Sequence, residues 1–313
     1  MREGNKPNVC APSKYDRKNN TCFSTEDLIE IVKAYNLYIS KSKLDPQSIK
    51  TFGSADLIAI KPDKKYLLLE LKKRFDNVCS DQLCWTRQSF MNYIEKEVKN
   101  KINDNTFRPP GPVDSVQWLS TTDINKIMKQ YENVYPDFEF IGAVPLDCND
   151  LSFCYLSKID YDALLNDKIK RVGTIFNLDK HGEPGSHWVS LFIDISDGEV
   201  NYCDSNGMKP MKNINSVINY FSKYYLEKTG KKCTIKINSN PYQKDGSECG
   251  VYSCNFIIRR LSGENFENVV KNPLTFPQIN SCRNVYFQPK NNTVFQSKVE
   301  SGQLKIHPKC DPK

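Results

Sequence analysis

Apolar residues recur at helical spacing along several parts of the chain. The segment STEDLIEIVKAYNLYI, which Ser24 can cap, shows this pattern near the N-terminus, and a second amphipathic segment runs near Leu83–Val98. The pattern returns in WLSTTDINKIMKQYENVY and in SVINYFSKYYLEKT, which Gly230 ends. It appears once more in CGVYSCNFIIRRLSG, which Gly263 stops. These segments are predicted helices.

Other apolar runs are short and almost continuous, which is typical of strands buried on both faces. RVGTIFNLD and HWVSLFIDI are of this kind, and the turn Asp197-Gly198 joins the second to EVNYCD as a predicted hairpin. FEFIGAVPLD and KCTIKIN are further predicted strands. DLIAI and KKYLLLELKK are predicted as short strands, although the latter could equally be helical. Helices and strands in this order predict an α+β fold.

The chain of 313 residues is long enough for one large or two modest domains. The stretch NDNTFRPPGPV contains three prolines, which neither a helix nor a central strand can run through. We therefore predict a basic accessory region over residues 1–112, a catalytic domain over 113–287 and a tail over 288–313. No apolar run reaches membrane-spanning length and no secretory signal opens the chain, so we expect a soluble intracellular protein without membrane contact.

Positive charge is concentrated in the first third of the chain. Residues 1–113 hold 20 Lys and Arg against 14 Asp and Glu, whereas residues 114–313 hold 24 against 23. Such an excess could mark contact with nucleic acid or an acidic partner, although a solvated basic surface explains it more often. Nucleic-acid contact through this region is therefore one hypothesis.

Twelve cysteines are spread over the whole chain. A reducing compartment keeps thiols free, so a disulfide framework is not expected and most of these cysteines should be buried free thiols. The sequence has three histidines and no CxxC pair, which argues against a zinc site. We predict no metal and no cofactor.

Cys249 is the candidate nucleophile. It lies at the start of a predicted buried helix, where the helix N-terminus favours a thiolate and offers unpaired backbone N–H groups. Gly250 would leave room for a substrate backbone to approach. Cys254 falls on the apolar stripe of the same helix and is expected in the core.

His187 is the candidate general base, because it begins an apolar strand, whereas His181 and His307 lie in polar segments. Asp204 ends the partner strand of the predicted hairpin and should therefore lie beside His187 and orient it. Taken alone, His187 would more often be a structural residue, and Asp204 would be a plausible turn residue. Gln243, six residues before Cys249, could donate to an oxyanion together with the Cys249 backbone N–H.

The order His, Asp, Gln, Cys, with Trp after the histidine and Gly after the cysteine, carries a resemblance to a known family. WLSTTDIN, GSHWVSLFID, NYCDSNG and SECGVYSCNFI are the matching segments. Over about residues 115–285 the sequence resembles the cysteine proteases that include the SUMO proteases and the adenovirus protease. The resemblance implies a central mixed sheet flanked by helices, with the nucleophile at a helix N-terminus, and the four roles given above.

A narrower likeness is to the capsid-maturation proteases of large cytoplasmic DNA viruses, such as African swine fever virus and the iridoviruses. It is carried by KQYE, FEFIGAVPLDC, TIFNLD before GSHW, and NVCAPS…CFSTEDLIEIVKAYN. It implies cleavage after Gly-Gly or similar motifs in virion polyproteins, in the host cytoplasm and the virion. Trp188 would form one wall of a channel that admits only glycine before the scissile bond, or it would be a core aromatic; both stay open.

Two other functions remain as alternatives. One is an isopeptidase that removes ubiquitin or a ubiquitin-like modifier from lysine with the same chemistry. The other is a non-catalytic nucleic-acid- or virion-binding protein on a protease fold, against which the complete set of four candidate residues argues.

Overall fold

The computed structural model describes residues 9–42, 56–113, 115–152, 154–244, 246–288, 297, 301–303 and 305–312. The chain divides into two compact units, Met1–Arg108 and Pro109–Lys313. The predicted boundary after residue 112 lies four residues beyond this division. The predicted tail belongs to the second unit, since Cys310 is buried there and bonded to Cys282.

The first unit is helical in its described part. Its helices are α1 (Thr25–Ser42), α2 (Lys64–Phe75), α3 (Gln82–Trp85) and α4 (Lys96–Thr106), with a 3₁₀ helix at Ser89–Tyr93. The amphipathic segment predicted near Leu83–Val98 is thus divided among three short elements. Aromatic and aliphatic side chains from all of them share one core, in which Phe75 stacks on Phe90 with ring centroids 4.9 Å apart.

The two short strands predicted in this unit are absent from its described residues. KKYLLLELKK is helical, because Asp63 caps it by accepting a hydrogen bond from the Tyr66 N–H and because Leu67 and Leu71 are buried on one face. DLIAI pairs with no neighbouring strand among the described residues. The backbone N–H and carbonyl of Ile58 both bond to the side-chain amide of Asn36, at 2.8 Å each, in place of a neighbouring strand.

The second unit contains a mixed five-stranded sheet in its described part. Its strands are β1 (Phe138–Pro145), β2 (Arg171–Asn177), β3 (Trp188–Asp194), β4 (Glu199–Cys203) and β5 (Thr234–Ile237), and they lie in that order. The pairs β1–β2 and β4–β5 are parallel, whereas β2–β3 and β3–β4 are antiparallel. The hairpin predicted around Asp197-Gly198 is confirmed as β3–β4, with Gly198 at a φ of 64°.

Helices cover both faces of this sheet, as the α+β prediction requires. They are α5 (Thr121–Glu132), α6 (Tyr161–Asn166), α7 (Lys212–Thr229), α8 (Cys249–Leu261), α9 (Phe266–Lys271), α10 (Phe276–Ser281) and α11 (Arg283–Tyr286). On one face Ile175 and Phe192 pack with α5 and α8. On the other face Val189 and Leu191 pack with α7. Helix α8 is buried almost along its whole length, so its N-terminus is held rigidly against the sheet.

Four disulfides correct the expectation that most cysteines are free thiols. They join Cys10 to Cys22, Cys79 to Cys84, Cys148 to Cys154 and Cys282 to Cys310, with Cα–Cα distances of 5.0–5.4 Å. The expectation failed because it was argued from compartment, whereas pairing depends on which chain segments the fold brings together.

In the described ranges, no helix is long and apolar enough to cross a membrane.

The Cys282–Cys310 bond should contribute most to stability in the second unit, because it closes a loop of 28 residues. Replacing both cysteines by serine should lower the free energy of unfolding by about 3–4 kcal/mol on the loop-entropy account, measured by urea denaturation without reductant. The control is Cys148→Ser with Cys154→Ser, whose six-residue separation predicts about 2 kcal/mol. Equal losses from both pairs would contradict this ordering.

Candidate active site

The β3–β4 hairpin places His187 beside Asp204. His187 directly precedes β3 and Asp204 directly follows β4, and the two strands are antiparallel with Ser190 opposite Cys203. The end of one strand therefore meets the start of the other. His187 Nε2 lies 2.6 Å from Asp204 Oδ1, and the Asp204 side chain is completely buried. A carboxylate in this position fixes the orientation of the imidazole ring.

Two asparagines fix Asp204 in turn. The Asn206 N–H donates to Asp204 Oδ1 at 2.8 Å, and the Asn238 side-chain amide donates to the Asp204 carbonyl at 2.7 Å. The Asn206 amide nitrogen also lies 3.4 Å from His187 Nε2. Neither asparagine was predicted from sequence, since a lone Asn in a turn carries no signal of its own.

Cys249 is the first residue of α8, and it lies close enough to His187 to raise the pKa of the imidazole. Burial lowers the pKa of His187, but the hydrogen bond to Asp204 and the interaction with Cys249 raise it more, to about 9. The imidazole is therefore positively charged at neutral pH, between a carboxylate on one side and the Cys249 sulfur on the other. Such a pair is the arrangement in which a thiolate is stabilised by an adjacent imidazolium.

The remaining free thiols lack this setting. Burial raises the pKa of Cys203 to about 12, and its sulfur contacts the Tyr242 hydroxyl at 3.2 Å. Burial also raises the pKa of Cys254 far above its usual range, in agreement with the prediction that it is a core residue. Cys233 is partly exposed, and its sulfur lies 3.0 Å from the Ser222 hydroxyl. Thus Cys249 is distinguished by its histidine partner.

The other two histidines are engaged elsewhere. The backbone N–H of His181 donates to Asp147 Oδ1 at 2.8 Å in an exposed loop. His307 Nδ1 accepts from the Lys309 N–H at 3.2 Å and so caps the 3₁₀ helix Pro308–Cys310. His307 is therefore part of a packed segment rather than of a solvated tail, because the disulfide to Cys282 holds this segment in place.

Gln243 lies in the loop that approaches the N-terminus of α8, and Ser205 holds it there. The Ser205 hydroxyl donates to Gln243 Oε1 at 2.6 Å, and the Gln243 N–H donates to the Ser205 carbonyl at 3.0 Å. Because the hydroxyl donates to Oε1, the oxygen of the Gln243 side-chain amide faces Ser205, and the NH₂ group lies on the other side of the amide. Ser205 was missed from sequence, because a hydroxyl next to an aspartate is too common to single out.

Trp188 is mostly buried, and it is both a core aromatic and part of a groove wall. Its indole N–H donates to the Leu119 carbonyl at 3.0 Å, and the ring packs in the core beneath α8. Gly250 lies close to both Trp188 and Leu119. A side-chain carbon at Gly250 would lie 3.1 Å from Leu119 Cβ and 3.3 Å from Trp188 Cδ1, so the glycine allows close packing of α8 against these two residues.

A groove of about 760 Å³ runs up to Trp188. Its walls include the exposed aromatic rings of Trp118 and Tyr155, which are 52% and 50% exposed. The loop after β2 closes one side of it with Lys180 and Glu183. Exposed aromatic side chains over an open groove are suited to holding an extended peptide. Trp118 was not among the predicted site residues, although it opens one of the segments that carried the family resemblance.

No cluster of three or more His, Cys, Asp or Glu side chains that could hold a metal ion occurs in the part of the chain that the structure describes. Cys249, His187 and Asp204 instead place a thiol, an imidazole and a carboxylate next to one another. This arrangement is that of nucleophilic thiol catalysis.

Fold and site together define a cysteine peptidase. The chain belongs to the Ulp1 protease family, whose C-terminal catalytic domain matches residues 164–297. It is 53% identical over 306 residues to a thiol protease of Acanthamoeba polyphaga mimivirus, and the match covers 97% of this chain and 98% of the relative.

More distant similarity extends to a cysteine protease of African swine fever virus. That protein is 20% identical over 196 residues, which cover 58% of this chain and 70% of the relative. A crystal structure of the African swine fever virus protease matches with a TM-score of 0.61 and 18% identity, covering 77% of this chain and 94% of that one. The structural likeness confirms the predicted fold.

Proposed function

We propose that this protein is an endopeptidase that cleaves after Gly-Gly or similar small-residue pairs in viral structural polyproteins during virion maturation. In this proposal Cys249 is the nucleophile, His187 the general base and acid, Asp204 its orienter and Gln243 an oxyanion donor. The observation that supports it most is the 2.6 Å contact of His187 with the buried Asp204, on an imidazole whose pKa the neighbouring Cys249 also raises.

The reaction is acyl transfer in two stages. The Cys249 thiolate attacks the carbonyl carbon, and the developing oxyanion accepts hydrogen bonds from the Gln243 side chain and the Cys249 backbone N–H. This N–H is available because the first N–H groups of a helix have no carbonyl partner within the helix. The His187 imidazolium gives its proton to the leaving amine. His187 then takes a proton from water, which attacks the thioester and releases the thiolate.

The space around Cys249 supports a small residue before the scissile bond. Cys249 is only 2% exposed, and Leu119 and Trp188 pack closely against Gly250 next to it. A substrate carbonyl that reaches the sulfur must therefore pass between close walls. Glycine has no side chain to collide with them, whereas alanine already adds a methyl group in a confined site. The groove ending at Trp188 would hold the preceding residues of the substrate.

The viral substrate class is supported by the relatives, since two viral proteases align with 97% and 58% of this chain. The alternative is an isopeptidase that removes a folded ubiquitin-like modifier. Both enzymes would use the same four residues, and they differ only in the surface that is recognised.

A panel of substrates tests the proposal. Peptides that differ only before the scissile bond, with Gly-Gly, Gly-Ala and Gly-Leu, should give kcat/KM values that fall at least 10²-fold from glycine to alanine. A linear Gly-Gly peptide and a Gly-Gly-linked ubiquitin conjugate, compared at equal concentration, separate the two alternatives. Equal cleavage of all three peptides would refute the glycine requirement, and strong preference for the conjugate would favour the isopeptidase.

Gln243→Ala should lower kcat by about 10²- to 10³-fold with little change in KM, because an oxyanion donor acts mainly in the transition state. Ser205→Ala should cause a smaller loss of kcat, since the amide stays but is no longer held by the 2.6 Å bond. Steady-state kinetics on the Gly-Gly peptide measure both. A Gln243→Ala enzyme with normal kcat would place the oxyanion elsewhere.

A further inference from the structure

Glu248, the residue directly before the proposed nucleophile, forms an ion pair with Arg283, and both side chains are 0% exposed. Arg283 Nε and Nη2 donate to the two carboxylate oxygens at 3.0 Å each. Two parallel bonds of this kind hold both groups in a single geometry. A fully buried charge on the residue before the reacting thiol calls for a physical explanation, because a buried charge without a partner is strongly destabilising.

The carboxylate of Glu248 is turned away from α8. Glu248 is the N-cap residue of the helix, yet its side chain makes no capping hydrogen bond to the first turn. A carboxylate at this position could otherwise accept from one of the first backbone N–H groups, as an Asp N-cap does. Because Arg283 holds the carboxylate elsewhere, these N–H groups stay available to the thiolate and to an oxyanion.

Arg283 also holds the segment that leads into the groove. Its Nη2 donates to the Gln117 carbonyl at 2.6 Å, and its Nη1 donates to the Pro112 carbonyl at 3.3 Å. Gln117 precedes Trp118 and Leu119, of which the first lines the groove and the second packs against Gly250. The side-chain amide of Asn280 adds a second connection. Its nitrogen donates to Glu248 Oε1 at 3.1 Å and to the Ser115 carbonyl at 3.0 Å.

We infer that Arg283 is a positioning residue for the peptidase reaction: it neutralises Glu248 and withdraws its carboxylate from the start of α8, so that the helix N-terminus serves the Cys249 thiolate. The inference rests on the proposed role of Cys249 as nucleophile. Without the guanidinium, a buried negative charge adjacent in sequence to the thiolate would oppose its formation.

Other ionisable groups described at this end of α8 come from several elements. His187 and Asp204 come from the β3–β4 hairpin, and Tyr242 from the loop after β5 is bonded to Cys203. Asp123 on α5 is engaged in its own helix cap with Ser120. None of these contacts is changed directly by a substitution at Glu248 or Arg283, so the thiolate equilibrium reports on the ion pair.

The test measures alkylation of Cys249 by iodoacetamide as a function of pH, followed by mass spectrometry of the intact full-length chain in a Cys233→Ala background. Glu248→Gln leaves the guanidinium unpaired and should move the midpoint of the profile about one pH unit lower. Arg283→Gln leaves the carboxylate unpaired and should move it about one unit higher. The double variant should return it to the wild-type midpoint.

Opposite shifts are the result that a merely structural ion pair would not give, since a loss of packing alone lowers stability and kcat in both variants without separating the midpoints. If Arg283→Gln does not fold, Glu248→Gln and the double variant still decide the matter. Identical midpoints for these two and the wild type would overturn the inference. Failure of the proposed function is seen separately, as proteolysis that persists in Cys249→Ala.

Discussion

Cys249→Ala should lower kcat for the Gly-Gly peptide by about 10⁶-fold, because a peptidase that loses its nucleophile keeps only the contribution of substrate binding and oxyanion stabilisation. The same variant should not react with a glycine-based thiol-reactive probe. The expected loss is this large because Cys249, alone among the four free thiols, has a histidine as its ionisable neighbour. Steady-state kinetics and mass spectrometry of the probe adduct measure the two effects.

Cys233→Ala is the matched control, because it removes a free thiol that is more accessible than Cys249 but has Ser222 as its neighbour. This variant should keep wild-type kinetics and take up one equivalent of probe. Proteolysis that survives in Cys249→Ala, or an adduct that remains there, would move the nucleophile to another residue. The unfolding midpoint of both variants should be compared with the wild type, so that loss of activity is not confused with loss of fold.

The second unit could be predicted from sequence because its pattern is local and consistent. The apolar runs of β2 and β3, the Asp197-Gly198 turn and the strand after it specify a hairpin without reference to the rest of the chain. The hairpin in turn brings His187 and Asp204 together, since antiparallel strands of similar length end at the same edge. The contact between these two side chains therefore followed from secondary structure alone.

The contacts that support the site could not be predicted in this way. Ser205 meets Gln243 across 38 residues, and Glu248 meets Arg283 across 35. Hydrophobic periodicity says which face of a helix is buried but not which polar group lies opposite it. The Cys282–Cys310 disulfide is of the same kind, because its two cysteines are 28 residues apart in sequence.

The first unit shows how tertiary contacts override local preference. KKYLLLELKK contains a run of leucines that suits a strand or a helix, and its burial against the core of this unit favours the helix. DLIAI has the composition of a strand but no neighbouring strand within the described residues, so its backbone pairs with Asn36. Local pattern is sufficient where neighbouring segments pair with each other, and insufficient where the partner is distant.

Asp204→Asn should lower kcat by about 10³- to 10⁴-fold while preserving the shape of the site, because the amide fills the same space but cannot stabilise the imidazolium. It should also change the pH dependence. The pKa of His187 is raised to about 9, and the hydrogen bond to Asp204 is the largest contribution that raises it. The wild-type enzyme should therefore lose activity as pH rises through about 9, where His187 loses the proton needed by the leaving amine. In Asp204→Asn this decline should begin at lower pH.

Stability should follow the same titration. A histidine whose pKa is higher in the folded than in the unfolded state stabilises the fold fully below its unfolded pKa of 6.5, and this contribution is lost as pH rises through about 9. The difference in unfolding free energy between wild type and Asp204→Asn should hence be largest near pH 6 and decrease towards pH 10, as measured by urea denaturation. Asp197→Asn, at the opposite end of the hairpin, is the control and should change neither profile. An alkaline decline at the same pH in Asp204→Asn and wild type would show that the carboxylate does not hold the proton on His187, because the 2.6 Å contact could not then be stabilising the imidazolium.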